Sequence, residues 1–258
     1  MNASPDFWKQ RFRAAGIHLC LSVVLAVIAA LLVFFVWYPY PYREISGGRS
    51  LFFLIIAVDV IMGPLLTLAV FNIRKPRTEL VRDLSIIGLL QLAALGYGMW
   101  TVAYARPVHL VFEMDRFRVV HAVDVAPDLL EKAAPEFRKL PLGGPTLLSV
   151  RPFMDNNESM AATVAALSGY PIGARADMWQ SYEKAKPEIA AVAKPVSQLK
   201  TRFSARVAEI DNALKPYLAA HPSAPIGYVP MMGRDILWTV LIDTNTLEVI
   251  SFVPIDSF

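Results

Sequence analysis

The sequence predicts a membrane α-helical domain of three transmembrane helices, followed by an extracytoplasmic α+β domain with a mainly antiparallel sheet. Three observations lead to this prediction. Long apolar stretches fill most of residues 1–105, basic residues are unevenly distributed among the loops between them, and strand patterns open and close residues 106–258. The overall composition, 55% hydrophobic and 18% charged residues, is an average over a strongly apolar first part and a more polar second part of the chain.

Three stretches, residues 14–38, 51–71 and 84–104, are long enough to cross a bilayer. A helix that rises about 1.5 Å per residue needs roughly 20 apolar residues to cover a hydrocarbon core of about 30 Å. A soluble fold would have to enclose all three, since the first has no polar face. A cleaved signal peptide would be shorter and would end in small residues, whereas this stretch ends in the aromatic segment WYPYPY. We therefore expect it to remain as an anchor.

Basic residues predict the orientation of these helices. The loop after the second stretch carries four of them and the first loop only two, namely Arg74, Lys75, Arg77 and Arg82 against Arg43 and Arg49. Because loops rich in Lys and Arg stay in the cytoplasm, the amino terminus and this loop are predicted to be cytoplasmic. Three crossings then place residues 106–258 on the far side of the membrane.

Charge and cysteine content restrict the remaining possibilities. A net charge of +3 is too small to indicate a nucleic-acid partner, and the basic loop accounts for much of it. The single cysteine, Cys20, lies within the first stretch and cannot form an intrachain disulfide. The outer domain is therefore expected to be stabilised by core packing alone.

The outer domain is expected to begin directly after the third span and to contain strands, then helices, then strands. This order suggests an antiparallel sheet with helices on one face. Asn156 or Asn157 is the expected cap of the second helix. The predicted strands are residues 108–114, 117–123, 226–232, 236–242 and 247–253, and the predicted helical regions are residues 127–139, 157–167, 174–187 and 196–220.

No catalytic, metal or cofactor motif is present in the sequence. The four histidines are scattered without metal-ligand spacing, and there is no G-x-S-x-G elbow, Walker A loop or G-x-G-x-x-G motif. The sequence therefore predicts a protein that is not an enzyme and that needs no cofactor.

Asp59 is the most unusual residue, because it lies within the second apolar stretch. A charge at that depth costs several kcal/mol unless it is paired or neutralised. Helical rise places Tyr97 at a matching depth as its predicted partner, with Gln91 and Thr67 at a lower level. A proton or ion relay is one interpretation. A structural hydrogen bond is favoured, because no second carboxylate is present and a kink at Gly63–Pro64 would free a carbonyl that needs a donor.

Small residues on the third stretch would allow close approach of another helix. They are Gly88, Ala93, Ala94, Gly96 and Gly98. Packing within the protein's own bundle and docking of a partner helix are both open, and the former is favoured.

Several segments together resemble the type IV pilin accessory proteins of the TfpX/TfpZ kind. They are GIHLCLS, FFVWYPYPYREISGG, VDVIMGPLLTLAVFNIRKPRTELVRDLSIIGLLQLAALGYGMWTV, ARPVHLVFEMDRFRVV and YVPMMGRDILWTVLIDTNTLEVI. The resemblance is dense over residues 16–123 and looser at the end of the chain. It implies an inner-membrane protein that helps to assemble or regulate type IV pili by acting on the major pilin, with other pilus-assembly proteins and membrane lipid as further partners. It supplies no catalytic residues.

Two other classes remain as alternatives. A membrane-anchored sensor or transporter accessory would bind a small ligand in its periplasmic domain, and would show a defined pocket with convergent polar groups. A membrane enzyme is disfavoured by the missing motifs.

Overall fold

A computed structural model describes residues 5–258, including all of their side chains except those of residues 5, 6, 50, 51 and 54. The chain divides into two compact units. The first ends at Ala105, and the second comprises Arg106–Phe258.

Helices make up the first unit. Two stretches, Phe7–Trp37 and Arg77–Tyr104, are long and apolar enough to cross a membrane, whereas the apolar part of the middle helix, Ile55–Val70, is shorter. All three membrane crossings therefore stay a prediction. The α-helices are α1 (Pro5–Leu31), α2 (Tyr42–Ile45), α3 (Gly48–Ala57), α4 (Gly63–Val70) and α5 (Arg77–Tyr104), with π-helical turns at Leu32–Trp37 after α1 and at Val58–Met62 between α3 and α4.

The helices of this unit run in alternating directions. The Arg11 guanidinium near the start of α1 donates to the carbonyl of Ala69 near the end of α4. At the other end, the Tyr38 hydroxyl donates to the Val102 carbonyl of α5 at 3.0 Å. Gly98 lets α5 approach α3 closely, since a Cβ there would meet the Ile55 side chain at 2.7 Å. Glycine at this position thus allows the two helices to pack.

The second unit is built on an eight-stranded mixed sheet. Five of its pairings are antiparallel, while β1 with β3 and β2 with β6 are parallel. The order is β4-β3-β1-β2-β6-β7-β8, and β5 pairs with part of β6. The strands are β1 (Pro107–Glu113), β2 (Arg116–His121), β3 (Thr146–Val150), β4 (Trp179–Ser181), β5 (Lys194–Pro195), β6 (Ile226–Met232), β7 (Leu237–Asp243) and β8 (Val249–Val253).

The helices of this unit are shorter than the sequence suggests. The expected helical region 174–187 consists of short 3₁₀ turns and strand β4, and the expected helix 196–220 divides at Phe203, whose backbone leaves the helical conformation (φ −119°, ψ 55°). The cap of α7 is Asp155, whose carboxylate accepts from the Glu158 N–H at 2.8 Å, and not Asn156 or Asn157. The helices are α6 (Pro127–Lys132), α7 (Asn156–Leu167), α8 (Lys186–Val192), α9 (Val196–Arg202) and α10 (Val207–Ala220).

Both faces of the sheet are covered, so the expectation of helices on one face is wrong. On one face, α9 and α10 bury Leu199 and Leu214 against Tyr228 of β6. On the other, the ring of Phe117 lies 6.2 Å from that of Tyr182, which begins the turn before α8. Successive side chains of a strand point to opposite faces of the sheet. Phe117 pairs with Met231 and shares its face. Tyr228 lies three residues before Met231 and therefore points to the opposite face.

Candidate functional site

The polar residues of the first unit converge on one cavity of about 450 Å³ between α1, α4 and α5. Its walls are mostly aliphatic. Five polar side chains also line it, namely His18, Ser22, Asp59, Thr67 and Gln91. Three of the residues predicted from the sequence, Asp59, Thr67 and Gln91, are therefore brought together here.

Gln91 of α5 is bonded to the backbone of the middle helix at Asp59. Its Nε2 donates to the Asp59 carbonyl at 3.2 Å. Asp59 lies in the π-helical turn, where a carbonyl bonds to the N–H five residues on. That residue is Pro64, which has no N–H, so the Gln91 amide supplies the missing donor. Gly63 makes room for this contact, because a Cβ on it would collide with the Gln91 amide.

Two acceptor atoms in this cluster are buried without a hydrogen-bond donor among the described residues. They are Oδ1 of Asp59 and Oε1 of Gln91. Asp59 as a whole is only 8% exposed. Buried acceptors of this kind cost free energy until a donor reaches them, so the cavity is chemically suited to a group that carries N–H or O–H bonds.

The predicted partnership between Asp59 and Tyr97 is wrong. Tyr97 is 71% exposed and packs beside the Trp100 ring at 5.9 Å, and no hydrogen bond between described residues joins it to Asp59. Both residues line one cavity of about 260 Å³, so helical rise brought them near one another but did not predict whether they are hydrogen bonded. Thr67, in contrast, is hydrogen bonded to His18 Nδ1 at 2.6 Å, a pairing that sequence reasoning missed. Two polar residues at similar depth in neighbouring apolar stretches were the available signal.

The basic loop is held by short ion pairs and aromatic contacts. Lys75 Nζ lies 2.6 Å from Asp83 Oδ2, and Arg82 Nε lies 3.7 Å from Oδ1 of the same carboxylate. The Arg74 guanidinium lies 5.5 Å from the centre of the Phe7 ring. Arg77, the remaining basic residue, is exposed. A mixture of arginine, lysine and aromatic side chains is typical of a membrane–water interface.

The part of the chain that the structure describes contains no candidate metal site. There, no group of three or more His, Cys, Asp or Glu side chains is placed to hold a metal ion.

Relatives of this chain are known over its full length. The sequence profile of a family described as Fimbrial assembly protein FimB matches residues 6–47. A fimbrial assembly protein of serogroup I from Dichelobacter nodosus is 38% identical over 257 residues, covering 97% of this chain and 98% of the relative. The serogroup E1 protein of the same organism is 38% identical over 256 residues with the same coverage, and that of serogroups C1 and C2 is 46% identical over 129 residues, covering 48% of this chain and 98% of the relative.

No solved structure matches the chain. Two relatives at 38% identity nevertheless align with it almost from end to end. The chain belongs to the family of fimbrial assembly proteins.

Proposed function

We propose that this protein is an inner-membrane accessory protein of the TfpX/TfpZ kind, which binds or escorts type IV pilin and modulates pilus assembly. One observation carries the proposal: proteins named fimbrial assembly proteins match it over 97% of its length. A role in fimbrial biogenesis is the part that the relatives support. Contact with pilin is argued from the surfaces of the two units.

Three membrane crossings are part of the proposal. The helical run from Gly48 to Val70 is continuous through its π turn. At about 1.5 Å per residue it is about 34 Å long, enough for a hydrocarbon core of about 30 Å. With the loop that contains Arg74 and Lys75 in the cytoplasm, Arg106–Phe258 would lie in the periplasm.

The bundle offers a surface for a membrane helix. Gly88 and Gly96 of α5 face open space, since a Cβ on either would have no heavy atom within 4 Å. Gly88 also lines the cavity that contains the unpaired oxygens of Asp59 and Gln91. A helix that seated against this face could approach closely and bring a hydrogen-bond donor to those oxygens.

The outer unit offers a surface for a folded partner. Along α7, Met160, Val164 and Leu167 are exposed by 71%, 57% and 85%. Their spacing of four and three residues puts them on one side of the helix. An exposed apolar stripe of this length is typical of a protein interaction site. We assign it to the pilin head.

No chemical step is included in the proposal. Its two surfaces account for binding, and the described residues include no group of three or more side chains placed to hold a catalytic metal ion.

Variants on the α7 stripe test the proposal. Met160→Glu and Leu167→Glu place charges on the exposed apolar side, whereas Ala161→Glu places one about 100° away on the same helix and serves as the control. In a strain that expresses each variant, we expect the two stripe variants to change the number or length of surface pili while pilin is still made. Normal piliation in both, at normal protein levels, would remove α7 from the proposal. Normal piliation in a deletion strain would refute the function itself.

A further inference from the structure

The outer unit contains a polar cavity that the proposed function does not use. It has a volume of about 380 Å³ and lies between β2, the end of β6 and the loop after α7. Arg118, His121, Asp124 and Arg234 are its charged or titratable lining residues.

His121 presents an unpaired nitrogen in this lining. The residue is 1% exposed, and its Nε2 is buried with no hydrogen-bond partner among the described residues. The other ring nitrogen, Nδ1, lies 3.0 Å from Oδ2 of Asp124, which also accepts the His121 backbone N–H at 3.0 Å. Because a carboxylate can only accept, Nδ1 carries a proton and the ring is held in one orientation. This leaves Nε2 available to a ligand.

Asp124 is held as a carboxylate. Burial acts to raise its pKa, but the hydrogen bonds from His121 and the charge of Arg234 outweigh this effect, and the pKa of Asp124 lies below its usual value.

Each of the two arginines that line the cavity is paired with one carboxylate, Arg118 with Glu113 and Arg234 with Asp124. Arg118 is fixed through Nε, which donates to Glu113 at 2.5 Å, and no hydrogen bond to a described residue engages its Nη atoms. Arg234 donates from Nη2 to Asp124 at 3.3 Å and is 43% exposed in its side chain. Both guanidinium groups therefore keep free donors, in the fork geometry that suits carboxylate and phosphate.

The end of α7 also lines the cavity, and two carbonyls of its last turn are hydrogen bonded. Gly169 has φ +90°, the left-handed conformation that closes a helix. Its N–H and that of Tyr170 donate to the carbonyls of Ala166 and Ala165 at 3.1 and 2.9 Å. The partial negative charge of the helix terminus is thereby reduced where a ligand would lie.

We propose that this cavity binds a small organic anion through a carboxylate or phosphate group, which Arg118 and Arg234 hold as ion pairs and which forms a hydrogen bond with Nε2 of His121. The site lies beside the end of α7, so binding of an anion there could alter the neighbouring apolar stripe of Met160, Val164 and Leu167. It is independent of pilin binding, which the variants of Met160 and Leu167 test separately.

Titration of the full-length protein in detergent micelles tests the site. Histidine rings labelled with ¹³C are followed by NMR while inorganic phosphate or citrate is added, with sodium chloride at matched ionic strength as the control. We expect the His121 signals to shift and saturate with at least one of the two anions, while those of exposed His221 do not. Phosphate alone would indicate a phosphate ligand, and citrate alone a carboxylate ligand. No saturable shift with either anion, or an equal shift with chloride, would overturn the proposal.

Three variants decide whether the named residues carry the binding. Arg234→Gln should weaken it by about tenfold or more, the scale of a lost charge-assisted hydrogen bond. Arg116→Gln is the matched control, because this arginine is also paired to an aspartate, Asp115 at 2.7 Å, but lies outside the cavity. His121→Asn keeps a donor for Asp124 and removes Nε2, so binding, followed by calorimetry, should be lost while the melting temperature stays close to that of the wild type. Equal affinities for Arg234→Gln and Arg116→Gln would contradict the assignment.

Discussion

His109 should make the stability of the outer unit depend on pH. It is 3% exposed in β1, with Nδ1 hydrogen bonded to the Thr146 hydroxyl at 2.8 Å and its ring 4.6 Å from that of Trp179. Nε2 is buried without a partner among the described residues. Burial disfavours the charged imidazolium and lowers the pKa of His109 from 6.5 to about 4.

The direction of the effect follows from proton binding. Between pH 6.5 and 4 the unfolded chain binds a proton at His109 and the folded chain does not. Stability is therefore present above pH 6.5 and is lost as the pH falls towards 4, where the folded form also becomes protonated. A difference of about 2.5 pKa units corresponds to about 3 kcal/mol in total, of which about 2 kcal/mol is lost between about pH 7 and pH 5.

Urea unfolding of the full-length protein in micelles, followed by tryptophan fluorescence, measures this loss. His109→Asn keeps a donor near the Thr146 hydroxyl but does not titrate. It should be less stable than the wild type at both pH values, because it leaves a cavity, yet lack the loss of about 2 kcal/mol on going to about pH 5. His221→Asn, at an exposed histidine, should behave as the wild type. A pH-dependent loss in His109→Asn as large as in the wild type would refute the reasoning.

Three further predictions concern the first unit. Reporter fusions after Lys75 and after Phe258 should report opposite compartments, and an inactive alkaline phosphatase at Phe258 would contradict the topology. Gly63→Ala should displace the Gln91 amide from the Asp59 carbonyl and cost about 1 kcal/mol in thermal unfolding, while Gly96→Ala, at a position facing open space, should be neutral; equal effects would contradict the packing. Asp59→Leu should lower protein accumulation and piliation more than Asp59→Asn, which keeps an acceptor; equal defects would favour a titrating role.

The level of a polar residue along its helix could be predicted from the sequence, but its hydrogen-bond partner could not. Asp59 stands out because a carboxylate is rare in an apolar stretch, and Gln91 and Thr67 were placed at a lower level than Asp59. Asp59 and Tyr97 line one cavity, but no hydrogen bond between described residues joins them, because helical rise alone does not determine the side-chain conformation. Which side chains of two neighbouring helices meet depends on how the helices pack, and this packing cannot be predicted from a local sequence pattern.

In the outer unit, local patterns identified strands with clear apolar runs and missed those defined by pairing. Strand β3 follows a Pro/Gly loop and is short, and it becomes a strand because it pairs in parallel with β1. The site around His121 and Asp124 could not be predicted from the sequence either. A spacing of three residues between a histidine and an aspartate is common, and Arg234 comes close to the pair only in the folded structure.

Photocrosslinking to pilin tests the central claim most directly. A photoreactive side chain at Gly96 of α5 faces open space, and one at Leu167 of α7 replaces a side chain that is 85% exposed. Both should capture pilin in cells that assemble pili, while the same group at Ala161, on another side of α7, should capture much less. Absence of a pilin adduct from both Gly96 and Leu167, with the protein present at normal levels, would contradict the claim that this fimbrial assembly protein binds pilin.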